Sequence, residues 1–366
     1  MHIITNRAMD ESKKGVKQFL STSGQAGSLD LRIVKISGPK KARKVDVLQD
    51  ELSLSRVKFL KKKYNLDIDT SVDHYQSLEL ACQLFERATK EKKHITLFVH
   101  GYNNDVEDII ATVNSLNRTY KDTIFVPFSW PAKGGGKLSG TANYIEDKRD
   151  ARASSGALDR VFKIVRDMHK LLTEGQSKTL WKIATEKHSD NAVAARELFV
   201  RLQRRQCKVT INLMCHSMGN YVLKHATLPS LTNIRKVTFD NVCLIAADTN
   251  HDDHGSWIPK IEAKGGVYVV INEDDYALKW ARIKPGEEQK RRLGHYLNNL
   301  DALNTTYIDV TRATGVGEQH SYFIGRKLIE NKKLAGMFGK IFAGDRPERL
   351  TSLMQYMSDL NAYRLR

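Results

Sequence analysis

The amino-acid sequence predicts an α/β fold on a mostly parallel sheet, and three observations carry that expectation. Short apolar runs rich in β-branched residues recur along the chain. Several are continuously apolar rather than alternating, as strands covered on both faces are. Between the later runs lie segments long enough for a crossover helix.

The runs are His2–Thr5, Leu31–Ile36, Ile95–Val99, Thr123–Phe128, Val209–Met214, Val242–Ala246, Val267–Ile271 and Thr306–Val310. They predict an eight-stranded sheet. About eighty residues separate the fourth run from the fifth, far more than one crossover requires. That stretch opens with Lys133-Gly-Gly-Gly-Lys137, which reads as a flexible loop and lacks the spacing of a phosphate-binding loop. It continues with Val161, Ile164, Val165, Met168, Leu171 and Leu172 on one helical face. Leu180–Ile183 and a further helical pattern lead into Arg204. A helical cap insert is expected over 132–200, either packed as ordinary helices or closing as a lid whose apolar face excludes water from a pocket.

The main domain is expected to end near residue 330, with a helical C-terminal extension over 331–366. Leu334, Met337, Phe338, Ile341 and Phe342 recur at helical spacing there, and so do Leu350, Leu353, Met354 and Met357. The first stripe suits a core, a partner or, with Lys332, Lys333 and Lys340 beside it, an anionic membrane. Gly336 and Gly339 favour close packing.

Composition narrows the class. Apolar residues make up 41% of the 366, enough for a substantial core. No apolar run approaches the roughly 18 residues of a membrane span. Met1–Gly15 turns polar from Thr5 and has no secretory pattern, so a cytoplasmic location is expected, with attachment at a membrane surface as a variant. The cysteines, Cys82, Cys207, Cys215 and Cys243, form no CxxC pair. Three lie in or beside expected strands as small buried hydrophobes, which argues against a zinc or disulfide framework.

Lys plus Arg number 59 against 42 Asp plus Glu, a net +17. Such a field attracts nucleic acid, anionic lipid or acidic substrates. The bases are scattered, at Lys40–Lys44, Arg56–Lys63, Arg201–Arg205 and Lys290–Arg292. Only the second cluster has aromatics, Phe59 and Tyr64, too few for a base-stacking platform. Nucleic acid is therefore not the expected partner. An anionic membrane surface stays open, and protein partners are not readable.

The strongest chemical signal is Ile211-Asn-Leu-Met-Cys-His216-Ser217-Met218-Gly219-Asn220. A buried strand runs into a tight turn at Ser217, and Tyr221-Val222-Leu223 begins a helix. This is the pattern of a nucleophile elbow, which lifts a serine Oγ out of a sheet of the α/β-hydrolase kind. Gly219 supplies the small residue that the close strand–helix approach demands, and Cys215 stands where glycine is commoner. The helix N-terminus directs its positive end at a developing oxyanion.

Such a pentapeptide alone is common, and a second signal strengthens it. Ile95–Val99 ends in His100-Gly101-Tyr102-Asn103-Asn104. A loop after an earlier strand can supply the other oxyanion donor, so the expected donors are the N–H groups of Tyr102 and Met218. The acid and then the histidine follow the serine in this fold. Asn272-Glu-Asp274-Asp275 follows the seventh run, and a glycine-containing loop ending in Gln319-His320 follows the eighth. His320 would take and return the Ser217 proton while the acid orients it.

The blocks Thr5-Asn6-Arg7, His100–Asn104, Phe128-Ser129-Trp130-Pro131, Tyr144-x-x-Asp147 with Ala151-x-x-Ser154, His216–Asn220, Asp275-x-Ala277-Leu278 and His320-Ser321-Tyr322 stand in order. Together they resemble an uncharacterised α/β-hydrolase family of the serine hydrolase (esterase-lipase) superfamily, found widely in bacteria and known as a domain of unknown function. The resemblance covers residues 5 to about 323. It favours Asp275 over Asp274 as the acid and implies an esterase-like hydrolase, without a substrate.

Asp248, after the sixth run, is an alternative acid. His251-Asp-Asp-His254 invites a metal reading but has no third ligand cluster, and a loop rim suits it better. His216 should point away from the site, and His94 and His295 have no acid after a strand to orient them. The expected reaction is hydrolysis of a carboxylic or lipid ester by Ser217, His320 and Asp275, with no cofactor and no metal. An amidase, peptidase or acyltransferase on the same residues is one alternative. A non-catalytic interaction module is another.

Overall fold

The computed structural model describes residues 1–23, 31–134, 140–205, 209–229, 239–283 and 290–366. Gly135–Lys137, Cys207 and the side chains of Met168, Leu171, Leu172 and Arg204 lie outside the described residues. In chain order the elements are β1 (His2–Thr5), β2 (Arg7–Met9), β3 (Phe19–Ser23), β4 (Arg32–Ser37), β5 (Lys44–Val47), α1 (Leu54–Tyr64) and α2 (Gln76–Glu91). Next come β6 (His94–Val99), α3 (Val106–Thr119), β7 (Thr123–Ser129), α4 (Gly140–Ala153), α5 (Ser155–Lys187) and α6 (Ala192–Arg205). The remainder are β8 (Ile211–His216), α7 (Gly219–Thr227), β9 (Phe239–Ile245), β10 (Ala263–Ile271), α8 (Tyr276–Ile283), β11 (Thr305–Asp309), α9 (Arg326–Glu330), α10 (Lys332–Phe342), β12 (Met354–Met357) and β13 (Ala362–Leu365).

The chain divides into two compact units. The first comprises Met1–Val47, His94–Phe162 and Thr210–Arg366. Its sheet runs β12-β13-β11-β10-β9-β8-β6-β7-β1-β4-β5. From β13 to β1 every neighbouring pair is parallel. Antiparallel β12 closes one edge, and antiparallel β4 and β5 close the other. Strands β7 and β9 are buried at every residue, the reason each carries an unbroken apolar run, Ile124–Phe128 and Val242–Ile245.

Each of the eight predicted runs overlaps a strand of this sheet, which has eleven strands rather than eight. The additions are short strands that extend the sheet at its two sides, β5 at one and β13 with β12 at the other. The stripe over Leu350–Met357 is not a helix as expected. In the tail after residue 331 α10 is followed by one short 3-10 turn, Pro347–Arg349, and then by a hairpin that pairs Met354 with Leu365 and Met357 with Ala362. Pairing of β13 with β11 outweighs a weak local helical preference, because the edge of β11 offers unpaired backbone groups.

The stripe on α10 faces the core and not a membrane. Leu334, Met337, Phe338, Ile341 and Phe342 are buried in one cluster with Phe98, Phe125 and Met214. The Phe342 ring meets Tyr120 and Phe125 edge-on at 5.0 and 5.3 Å. Each such side chain contributes about 1.5–3 kcal/mol by leaving water.

The second unit comprises Leu48–Lys93 and Lys163–Val209. The stretch expected as an insert is helical, but its later part forms a unit with α1 and α2, which no local pattern announced. Leu60, Leu66, Leu78 and Cys82 make a small core. Arg56 on α1 pairs with both oxygens of Glu79 on α2. Gly175 of α5 permits a close approach there: a Cβ would lie a tight 3.0 Å from the carbonyl oxygens of Tyr64 and Asn65.

Candidate active site

The turn between β8 and α7 places Ser217 at φ +54°. This left-handed conformation costs a non-glycine residue about 1–3 kcal/mol and needs support from its surroundings. The support is visible. The Ser217 carbonyl accepts from the backbone N–H of Asn220 at 3.1 Å, the Asn220 side chain at 3.1 Å and the N–H of Asp248 at 3.2 Å. Asn220 is fully buried and also donates to the carbonyls of Cys215 and Ile245, which ties the turn to two strands. A Cβ on Gly219 would sit 2.5 Å from the Val99 oxygen and 2.7 Å from the His100 oxygen. Both are backbone atoms, so only glycine fits. Cys215 is fully buried and accommodated, and burial pushes its thiol pKa well up.

The loop after β6 lies directly on this turn. A Cβ on Gly101 would come within 2.7 Å of the Ser217 Cβ, so the Gly101 backbone is pressed against the serine. His100 anchors the loop from behind. Its ring stacks on Trp130 at 5.0 Å, its Nε2 accepts the Trp130 N–H at 3.1 Å, and its Nδ1 contacts the Gly101 carbonyl at 2.8 Å. This pattern suits a neutral ring with the proton on Nδ1. Burial, with the nearby Arg7 charge, lowers its pKa to about 3.

Asp275 is fully buried at the end of β10 and receives His320 Nδ1 on both oxygens, at 3.0 and 2.8 Å. Its Oδ1 also accepts the Leu278 N–H, capping α8. Neighbouring Asp274 is exposed, so the two carboxylates are separated by environment. Asn272 ties the β10 end to the histidine loop by donating to the Gly317 carbonyl at 2.8 Å. His216 Nε2 lies 3.2 Å from the His320 carbonyl, and the two rings are 4.7 Å apart. The residue before Ser217 thus holds the backbone of His320 beside the turn. Burial pushes the His320 pKa down, but the charge and hydrogen bond of Asp275, helped by Asp248, overcome that and raise it.

Asp248 has other partners. The Tyr144 hydroxyl donates to it at 2.9 Å and Arg292 Nε lies 3.3 Å away, with both charged groups buried. It adjoins the turn through its backbone, not as the partner of His320. In the His251–His254 segment, His254 Nε2 bonds the Tyr307 hydroxyl at 2.7 Å, and Asp253 pairs with Lys224. Among the described residues no group of three or more His, Cys, Asp or Glu is gathered to hold a metal. Arg292 sits in a basic run of the sequence, and nothing local marks its pairing with a carboxylate 44 residues earlier.

A wide parallel sheet carrying a strained serine turn, a glycine loop against it and an acid–histidine pair after later strands defines an α/β hydrolase. The chain belongs to the family described as alpha/beta hydrolase of unknown function (DUF900), whose model matches residues 78–173 and 177–330. No curated protein and no solved structure matches the chain. No helix among the described residues is long and apolar enough to cross a membrane.

Proposed function

We propose that this protein is a serine hydrolase that cleaves a carboxylic ester, with a lipid ester as one form of the substrate. Ser217 attacks the acyl carbonyl, His320 takes its proton and passes it to the leaving group, and Asp275 holds the imidazole. The Tyr102 and Met218 N–H groups receive the oxyanion. Water then releases the acyl group from Ser217 by the same proton path. The observation that carries this reading is the two-oxygen contact of buried Asp275 with His320, on a loop bonded to the residue preceding Ser217.

The test is covalent labelling with a fluorophosphonate probe, followed by a panel of p-nitrophenyl esters and matched anilides. Wild type should label and Ser217→Ala should not, with turnover on esters. Labelling that persists in Ser217→Ala removes the nucleophile assignment. Turnover confined to anilides replaces the esterase by an amidase.

A further inference from the structure

Two residues outside the proposed proton path grip the loop that lies against Ser217. Asp147 on α4 is fully buried, and its two oxygens accept the backbone N–H groups of Asn103 at 3.2 Å and Lys133 at 3.0 Å. Arg7, the first residue of β2, is 2% exposed. It donates to the carbonyls of Asn104 at 2.8 Å and Ala132 at 2.9 Å, and to Ser129 Oγ at 2.8 Å. The Ala132–Lys133 peptide is therefore held at both ends, its carbonyl by the guanidinium and its N–H by the carboxylate. The Asn103–Asn104 segment is held by the same two groups. Asn103 sits at φ +57°, the left-handed turn conformation that asparagine adopts readily.

Two other contacts point the same way. Asn6 Nδ2 donates to Ser154 Oγ at 2.9 Å, tying the Arg7 segment to the helical layer that carries Asp147. Tyr144 packs edge-on against Tyr102 at 5.5 Å. Tyr144, Asp147, Ala151 and Ser154 follow at spacings of three, four and three, one helical face, and all are buried. The Thr5-Asn6-Arg7 and Tyr-x-x-Asp/Ala-x-x-Ser blocks, to which the sequence assigns no chemical role, thus meet at one place. Burying two charges is costly when neutral groups can hold a turn, so a plain structural turn does not call for them.

We propose that Arg7 and Asp147 form a clamp that sets the position of the His100–Asn104 loop relative to Ser217. In the serine hydrolase reading above, on which its catalytic consequence rests, they are positioning residues for the oxyanion donor at Tyr102. Gly101 abuts Ser217, so release of Asn103 and Asn104 would shift Tyr102 against the reacting carbonyl.

The experiment uses the full chain and the variants Asp147→Asn, Asp147→Ala and Arg7→Lys. Asn keeps the size of Asp but presents a donor to one of the two N–H groups, so one contact fails with little change in packing. Amide hydrogen exchange read by mass spectrometry should rise about tenfold or more in the peptide spanning Gly101–Asp105, with β8 and β9 unchanged. Fluorophosphonate labelling of Ser217 should slow about 10–100-fold, as misplacing one oxyanion donor does. Wild-type exchange in the loop of folded Asp147→Asn or Arg7→Lys overturns the clamp, as does exchange that rises uniformly through the sheet. Faster loop exchange with an unchanged labelling rate overturns the positioning role. If wild type does not react with the probe, the hydrolase reading has failed, and the exchange data decide the clamp alone.

Discussion

Both carboxylate oxygens of Asp275 meet Nδ1 of His320, at 3.0 and 2.8 Å, while Asp274, one residue earlier, faces solvent. Of these adjacent acids just past β10, one is buried and bonded to the histidine and the other is exposed. Asp275→Asn should therefore lower kcat for ester hydrolysis by about 10³–10⁴, the loss expected when the imidazole is left without its carboxylate. Asp274→Asn should stay within about twofold of wild type. A larger loss in Asp274→Asn would reverse the assignment.

The raised His320 pKa fixes the sign of the pH dependence. In the proposed mechanism the neutral ring is the base, so kcat/KM should climb with pH along a limb centred above 6.5. Removing the Asp275 charge leaves burial in control and should move that limb below 6.5. Folding stability runs the other way. The pair's contribution is complete below the unfolded histidine value and is lost as pH rises through the raised one. Rate profiles and thermal unfolding between pH 5 and 9 read both effects, and an unmoved limb in Asp275→Asn would contradict them.

Asp248 and Arg292 form a buried ion pair beside the turn. Arg292→Met strands a buried carboxylate and should cost about 3–5 kcal/mol in urea unfolding. The double variant Arg292→Met/Asp248→Asn should recover a large part of that loss. Equal instability in the single and double variants would mean that packing, not the stranded charge, is responsible.

Two glycines should respond in opposite ways to alanine. At Gly219 the methyl group meets two backbone oxygens, and Gly219→Ala should destabilise by about 1–3 kcal/mol or more and suppress labelling of Ser217. Gly336 lies inside α10 with nothing within 4 Å of the added Cβ. Gly336→Ala should stabilise by about 0.5–1 kcal/mol. Thermal denaturation of the two variants side by side checks the contrast.

Much of the sheet and the serine turn could be read from the chain alone because their causes are local. Continuous apolar runs mark strands covered on both faces, and Ser217-Met218-Gly219 meets the steric demand of a sharp strand-to-helix turn wherever the rest of the chain goes. The order of serine, acid and histidine follows from which strand ends carry them. Other features depend on which segments meet in space. The β12–β13 hairpin exists because β11 has an edge to pair, and α10 lies inward because Phe98, Phe125 and Met214 leave an apolar face to cover. Leu48–Lys93 joins the later insert through contacts more than a hundred residues apart, such as Lys178 with Asp67. Arg7 and Asp147 stand in blocks that mark the family, but their grip on two loop peptides exists only once folding brings those peptides between them. Periodicity and turn chemistry act over a few residues and are written in the local sequence, whereas burial, charge pairing and edge closure are set by partners distant along the chain.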